Sequence, residues 1–255
     1  MKLTKYCLII LLLAFFSCNN DDHHTTIAET SYEPGVVLTF DDDYVDDWTA
    51  VHAILKEYDW RTTFFVTKFA ELDASEIEQL HALKNYGHEI AAHGLNHIDA
   101  RNYIAQHGAD AYLEHEIYPM VSLMDANGLH TRSFAYPFGS RNPTTDGVLF
   151  DEFTMLRGTT YGQLPVASHN CYYTGNRLVY GLGLDNSYAH FSLNYVLSLL
   201  EYAKSHNKIV IFYAHRPVNT VNGEYQTEYQ TLSAICDYVK TNNMRFYTIS
   251  ELDDL

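Results

Sequence analysis

Three short apolar runs each end on residues able to bind a metal ion or move a proton, and this pattern constrains the chain more than any other feature. Val36-Val37-Leu38-Thr39-Phe40 leads into Asp41 and Asp42, and Glu89-Ile90-Ala91-Ala92 leads into His93, with His97 shortly after. Ile209-Val210-Ile211-Phe212-Tyr213-Ala214 leads into His215. Runs this short, rich in β-branched and aromatic residues, read as strands buried on both faces. Polar residues recurring at the C-terminal ends of such strands are how an α/β barrel active site looks in sequence.

Between these runs the periodicity alternates. Strand-like segments are expected at Val36–Phe40, Thr62–Val66, Glu89–His93, Ser133–Phe138, Met155–Thr160, Leu178–Leu184, Lys208–His215 and Arg245–Ile249. Helical ones are expected at Val45–Tyr58, with Trp48, Val51, Ile54 and Leu55 on one face, and at Ser75–Tyr86. Further helices are expected at about Asp110–Asn127, closed by Gly128, and at Leu193–Ser205 and Thr227–Thr241. Alternating β and α elements imply parallel strands covered by helices. With no glycine-rich nucleotide-binding turn, the expected fold class is α/β, a distorted (β/α) barrel of seven or eight parallel strands over residues 34–255.

The N-terminus is separate. Lys2 and Lys5 precede an apolar stretch of 11 residues, Tyr6 to Phe16. A spanning helix needs roughly 20 apolar residues, so this segment reads as an export signal. Phe15-Phe16-Ser17-Cys18 resembles a bacterial lipoprotein box, which implies a signal at 1–17 and a lipid anchor at Cys18; ordinary secretory cleavage nearby is the other reading. Residues 18–33 are polar and read as a tether, in which His23-His24 is a solvated pair. The acidic Asp21-Asp22 resembles the surface-export signals of Bacteroidetes lipoproteins, which would put the domain in the cell envelope, on the outer membrane and at its outer face. Removing Lys2 and Lys5 with the signal leaves 14 basic against 32 acidic residues, a charge of −18. Such a field repels polyanions, and nucleic acid is excluded as a partner. Cys171 and Cys236 are the cysteines left in the domain; a disulfide between them and two buried thiols are both open.

His93-Gly94-Leu95-Asn96-His97 places two imidazoles four residues apart, straddling an expected strand end and helix start. Two histidines plus a carboxylate, with positions left for water and substrate, is a catalytic zinc arrangement; non-haem iron uses the same ligand types. No metalloprotease glutamate follows His93, and no Gly-x-Ser-x-Gly elbow is present.

Together these segments resemble the polysaccharide deacetylases (carbohydrate esterase family four), as a lipoprotein-anchored member. Thr39-Phe40-Asp41-Asp42 is similar to the family's first motif and His93/His97 to its second. Phe134-Ala135-Tyr136-Pro137-Phe138-Gly139 resembles the third, and Ile209 to His215 the fifth. The resemblance implies a divalent metal on Asp42, His93 and His97, most simply zinc, with cobalt, nickel, manganese and iron open. It implies Asp41 as general base, His215 as general acid and the backbone N–H of Phe138 as an oxyanion donor. These residue types suit acyl hydrolysis. The ion polarises the acyl carbonyl and acidifies water, a carboxylate accepts the proton, and histidine titrates where a leaving amine needs one.

The departures are informative. Ala135 stands where the family has an arginine that orients the base; Arg157 is the candidate replacement, with a surface salt bridge as the other reading. Asp43 stands in place of a glycine, and its charge is expected to raise the pKa of Asp41. Asp185 is the candidate for the aspartate that tunes the catalytic histidine. Tyr213 occupies a position where an aliphatic residue usually lines the acetyl pocket. Of the 21 tyrosines, Tyr172, Tyr173, Tyr180 and Tyr188 are candidates for a sugar-stacking platform. The leading expectation is a metal-dependent hydrolase removing N- or O-linked acetyl groups from a glycan. A hydrolase of a small non-sugar amide or imide, and an inactive lipid-anchored glycan-binding protein, are the alternatives.

Overall fold

The structure, a computed structural model, describes residues 32–255. The expected signal at 1–17, the lipid site Cys18 and nearly all of the tether lie outside the described residues. Seven parallel strands form a closed ring: β1 (Gly35–Asp42), β2 (Thr63–Val66), β3 (Glu89–Ala92), β4 (Ser133–Ala135), β5 (Met155–Thr160), β6 (Leu178–Gly183) and β7 (Ile209–Ala214), with β7 pairing back onto β1. β8 (Arg216–Val218) and β9 (Gln226–Glu228) make a separate two-stranded ribbon. β10 (Arg245–Tyr247) adds in parallel to the first half of β1, on the edge whose second half pairs with β2. Gly35 permits that insertion, because a Cβ there would lie 2.4 Å from the Arg245 carbonyl oxygen.

Strand parity sorts the residues. In β1, Val36, Leu38 and Phe40 belong to the large core under the helices, whereas Val37 belongs to a smaller cluster. That cluster takes Phe65, Ala91, Ala135, Met155, Val179 and Ile211 from β2 to β7, so it is the filled barrel interior. Stepping by two along β1, β3, β5, β6 and β7 carries this interior set to Asp41, His93, Arg157, Asp185 and His215. The barrel's own periodicity therefore aims five chemically capable side chains at one end.

The helices are α1 (Val45–Leu55), α2 (Ala74–Tyr86), α3 (Ala100–His107), α4 (Ala109–Tyr112), α5 (Tyr118–Ala126), α6 (Pro143–Leu149), α7 (Leu193–Ser205) and α8 (Tyr229–Thr241). In α1, Trp48, Val51 and Leu55 are buried but Ile54 is exposed, at the edge of the expected apolar face. The expected single helix over Asp110–Asn127 is interrupted by a π-helical turn at Leu113–Ile117, just before Pro119, whose ring cannot donate to the preceding turn. α6 starts from an Asn142 capping box with Pro143 in its first turn. Cys171 and Cys236 are buried free thiols.

Candidate active site

At the C-terminal end of the barrel a cleft of about 340 Å³ is lined by Asp41, Asp42, His93, His97, Phe138, Arg157 and His215, among others. Asp185 lies beneath it, fully buried against His215. The structure thus brings together the candidate catalytic and metal-ligating residues named from the sequence.

Asp42 ends β1 at φ +86°, a left-handed conformation that turns its carboxylate away from the strand alternation. His93 follows β3, and His97 sits in the loop before α3 at φ +58°. Oδ1 of Asp42 lies 3.3 Å from Nε2 of His97 and 3.7 Å from Nε2 of His93, and one ligand atom from each residue falls within 4.8 Å of the others. At metal–ligand distances near 2.0–2.2 Å, such separations are what one divalent ion requires. The donor chemistry fits too. Nδ1 of His93 is 2.8 Å from the Ala135 carbonyl oxygen, so it donates its proton there and leaves the Nε2 lone pair for the ion. Burial lowers the pKa of His97, and that of His93 to about 3, keeping both imidazoles neutral. Burial pushes Asp42 up to about 6, and the charge of neighbouring Asp41 adds to that.

Asp41 and Arg157 form a buried ion pair, Nη2 of the guanidinium meeting both carboxylate oxygens. Arg157 is fully buried, which disposes of the surface salt-bridge reading. It is register-paired with Ala135 across β4 and β5, so the cation reaches the base from the adjacent strand. Its guanidinium carbon lies 5.3 Å from the Phe65 ring centroid and 5.2 Å from that of Tyr213. Tyr213 therefore braces this arginine from the position where an aliphatic residue was expected. Burial opposes ionisation of Asp41, but the charge and hydrogen bond of Arg157 and the charge of His215 outweigh it and the pKa is lowered. The expected increase from Asp43 does not appear at Asp41, where Arg157 dominates; the Asp43 charge instead helps to raise Asp42, while its carboxylate pairs with Lys68 at 3.0 Å.

Nδ1 of His215 is 2.6 Å from Oδ2 of Asp185, whose Oδ1 accepts from Thr227 Oγ1 at 2.8 Å and from the His215 N–H at 3.2 Å. This fixes the tautomer and aims Nε2 at the cleft. Burial disfavours the imidazolium, but the Asp185 hydrogen bond and the charges of Asp185, Asp41 and Asp42 prevail, and the pKa of His215 is raised.

Phe138 turns at φ 59° and ψ 7°, and its ring stands 4.5 Å from that of His97. Phe138, Tyr161 and Tyr225, at 66%, 54% and 48% exposure, present open aromatic faces along the cleft, with Tyr188 and Tyr213 behind. Of the four tyrosines proposed for stacking only Tyr188 is at the cleft. Tyr172 and Tyr173 are buried in the core, and Tyr180 receives a hydrogen bond from Arg141 away from the cleft. Tyr161 was legible, being in phase with Met155, Arg157 and Thr159 beyond β5; Tyr225, in a loop at φ +51°, carried no periodic signal.

Residues 28–151 match the family model described as polysaccharide deacetylase. No curated protein sequence matches the chain. Among solved structures, it is similar to the Xyl-CE4 domain of a multidomain xylanase from the hindgut metagenome of Trinervitermes trinervoides (TM-score 0.57, 20% identity, 88% of this chain and 91% of that one). It is also similar to a family 4 acetyl xylan esterase from Clostridium thermocellum in complex with a cobalt ion (TM-score 0.54, 19% identity, 85% and 89%). A third is a CE4 family pseudoenzyme from Bacillus anthracis (TM-score 0.55, 15% identity, 87% and 66%). At these identities the likeness establishes a shared fold.

Proposed function

We propose, from the match of residues 28–151 to the polysaccharide deacetylase family, that this chain is a metal-dependent hydrolase removing N- or O-linked acetyl groups from a glycan. The observation that carries the reading is the presence in one cleft of two differently tuned groups, Asp41 paired with Arg157 and His215 paired with Asp185, beside the Asp42-His93-His97 cluster.

Asp42, His93 and His97 would hold the ion, zinc on ligand type, which when bound supplies Lewis-acid polarisation of the acyl carbonyl and acidification of water. Asp41, kept ionised by Arg157, accepts a proton from the attacking water at one carboxylate oxygen. His215, kept protonated more readily by Asp185, delivers a proton from Nε2 to the departing nitrogen or oxygen. The Phe138 N–H is the candidate donor to the developing oxyanion. The exposed faces of Phe138, Tyr161 and Tyr225 suit the C–H faces of a pyranose ring.

The similarity to a pseudoenzyme makes an inactive binder the reading to test against. An intact base and acid favour catalysis, since glycan binding requires neither. A small amide or imide substrate is favoured by one observation, the phenol of Tyr213 at the cleft.

Acetate release from a panel of N- and O-acetylated glycans, with small amides and imides alongside and with and without chelator, tests the reading. We expect chelator-sensitive release, lowered roughly 10²–10⁴-fold by Asp41→Asn and by His215→Ala. Glycan binding with no acyl release under any metal or pH would replace the enzyme by the binder. For the N-terminal segment we propose export and lipidation at Cys18, tested by whether Cys18→Ala moves the protein from the membrane to the soluble fraction.

A further inference from the structure

Glu116 is fully buried within the π-helical turn Leu113–Ile117, and neither the metal site nor the acid–base pair uses it. Its Oε2 accepts the Asn96 backbone N–H at 3.0 Å, and its Oε1 accepts the Asn96 side-chain amide at 2.6 Å. Its own carbonyl oxygen accepts the Leu95 N–H at 3.3 Å. A Cβ on Gly94 would lie 2.9 Å from Oε2, so a glycine at φ +79° lets the loop close onto the carboxylate. No lysine or arginine among the described residues pairs with this carboxylate; Asn96 takes both oxygens.

The loop so gripped is the one that presents the two histidines. On its other side, Thr67 Oγ1 donates to the Gly94 carbonyl at 2.7 Å and the Lys68 N–H to the Leu95 carbonyl at 3.0 Å. His97, next to Asn96, sits at φ +58° without being glycine. A left-handed residue other than glycine is strained and persists only where its surroundings over-determine it. The π turn supplies the surroundings: its wider winding turns consecutive residues, Glu116 and Ile117, into the core.

We infer that Glu116 is a positioning residue for the metal centre, holding through Asn96 the strained turn that aims His93 and His97 at a common ion. The inference rests on reading Asp42, His93 and His97 as a divalent-cation site. Releasing the clamp lets His97 relax out of the left-handed region, away from the 3.3 Å approach to Asp42. Metal affinity depends on such supporting contacts by roughly 10–100-fold.

The test uses the full chain stripped of metal with chelator, zinc or cobalt(II) affinity by competition titration, and the cobalt visible spectrum as a report on ligand geometry. E116A is expected to weaken affinity roughly 10–100-fold and alter the spectrum. E116Q should stay close to wild type, its carbonyl accepting the Asn96 N–H and its amide donating to a flipped Asn96 side chain. A swap keeps the test independent of whether E116A folds. N96D sets two carboxylates face to face and should lose affinity, and E116Q/N96D, amide again facing carboxylate, should recover it. Wild-type affinity and spectrum in a folded E116A, or failure of E116Q to rescue N96D, overturns the inference alone. A wild-type chain that takes up neither zinc nor cobalt overturns the metal-site reading and this inference with it.

Discussion

Inside the barrel a single guanidinium neutralises the candidate base. Arg157 uses Nη2 on Asp41, while its Nε and Nη1 have no hydrogen-bond partner among the described residues and the rings of Phe65 and Tyr213 flank it. Removing one member of a buried pair leaves the other charged and dry, at a cost of about 3–5 kcal/mol. Arg157→Ala is therefore expected to lower unfolding free energy by about that much in urea titration and to lower kcat through misorientation of Asp41. Because Ala135 is the register partner of Arg157, Ala135→Arg in the Arg157→Ala background returns a cation across the same two strands and should restore part of both losses. Wild-type turnover in Arg157→Ala would remove the arginine from the mechanism. Position 135 by itself shows only a missing arginine, whereas the two-residue phase from Met155 through Arg157 points its replacement inward. Asp185, a candidate with no comparable motif, is in phase with Val179 along β6, and its 2.6 Å contact with Nδ1 of His215 identifies its role.

At the scale of elements, the strands were legible because buried parallel strands are written as short, uninterrupted apolar runs. β5 and α7 have the expected boundaries, Met155–Thr160 and Leu193–Ser205. α3 escaped because Ala100–His107 buries only Ala100 and so has no apolar stripe to detect. The third motif's strand ends at Ala135 rather than Phe138, since Pro137 cannot extend the ladder and the chain turns there. β8 and β9 are three residues each, too short for any period to register. Glycines on β6 decide how the cleft's aromatic wall packs. A Cβ on Gly183 would lie 2.4 Å from the Tyr188 ring and 3.0 Å from Tyr213. Overpacking of this kind costs about 1–3 kcal/mol. Gly183→Ala should lower thermal stability and raise KM for glycan by displacing Tyr188, with metal affinity unchanged. A variant with wild-type KM and melting temperature would mean that this wall has no part in substrate binding.

For the whole molecule, acid resistance is set by histidines buried in neutral form. His88 accepts the Thr62 N–H at Nδ1 over 3.2 Å, which leaves its proton on Nε2 to donate to Nδ1 of His52 at 2.9 Å, tying α1 to the start of β3. Burial, then the charges of His52 and Arg61, lowers its pKa from 6.5 to about 3. Burial also lowers His52, His169 and His190. Between pH 6.5 and about 3 the unfolded chain holds a proton at position 88 that the folded chain refuses. Stability from this group is complete above the unfolded pKa and is lost as pH falls toward the folded one. His215 acts with the opposite sign: its pKa is raised, so its contribution is present at low pH and lost as pH rises through the folded value. The metal-free protein should therefore lose unfolding free energy on acidification below pH 6.5, with the depressed histidines outnumbering the two groups, His215 and Asp42, whose raised pKa values act the other way. His88→Gln removes one refused proton and should flatten the slope between pH 6.5 and its lower limit by about 1.4 kcal/mol per pH unit. Urea titrations across that range measure the slope directly. An unchanged slope would show that His88 takes up its proton in the folded state, and the His52–His88 pair would then have no part in acid unfolding.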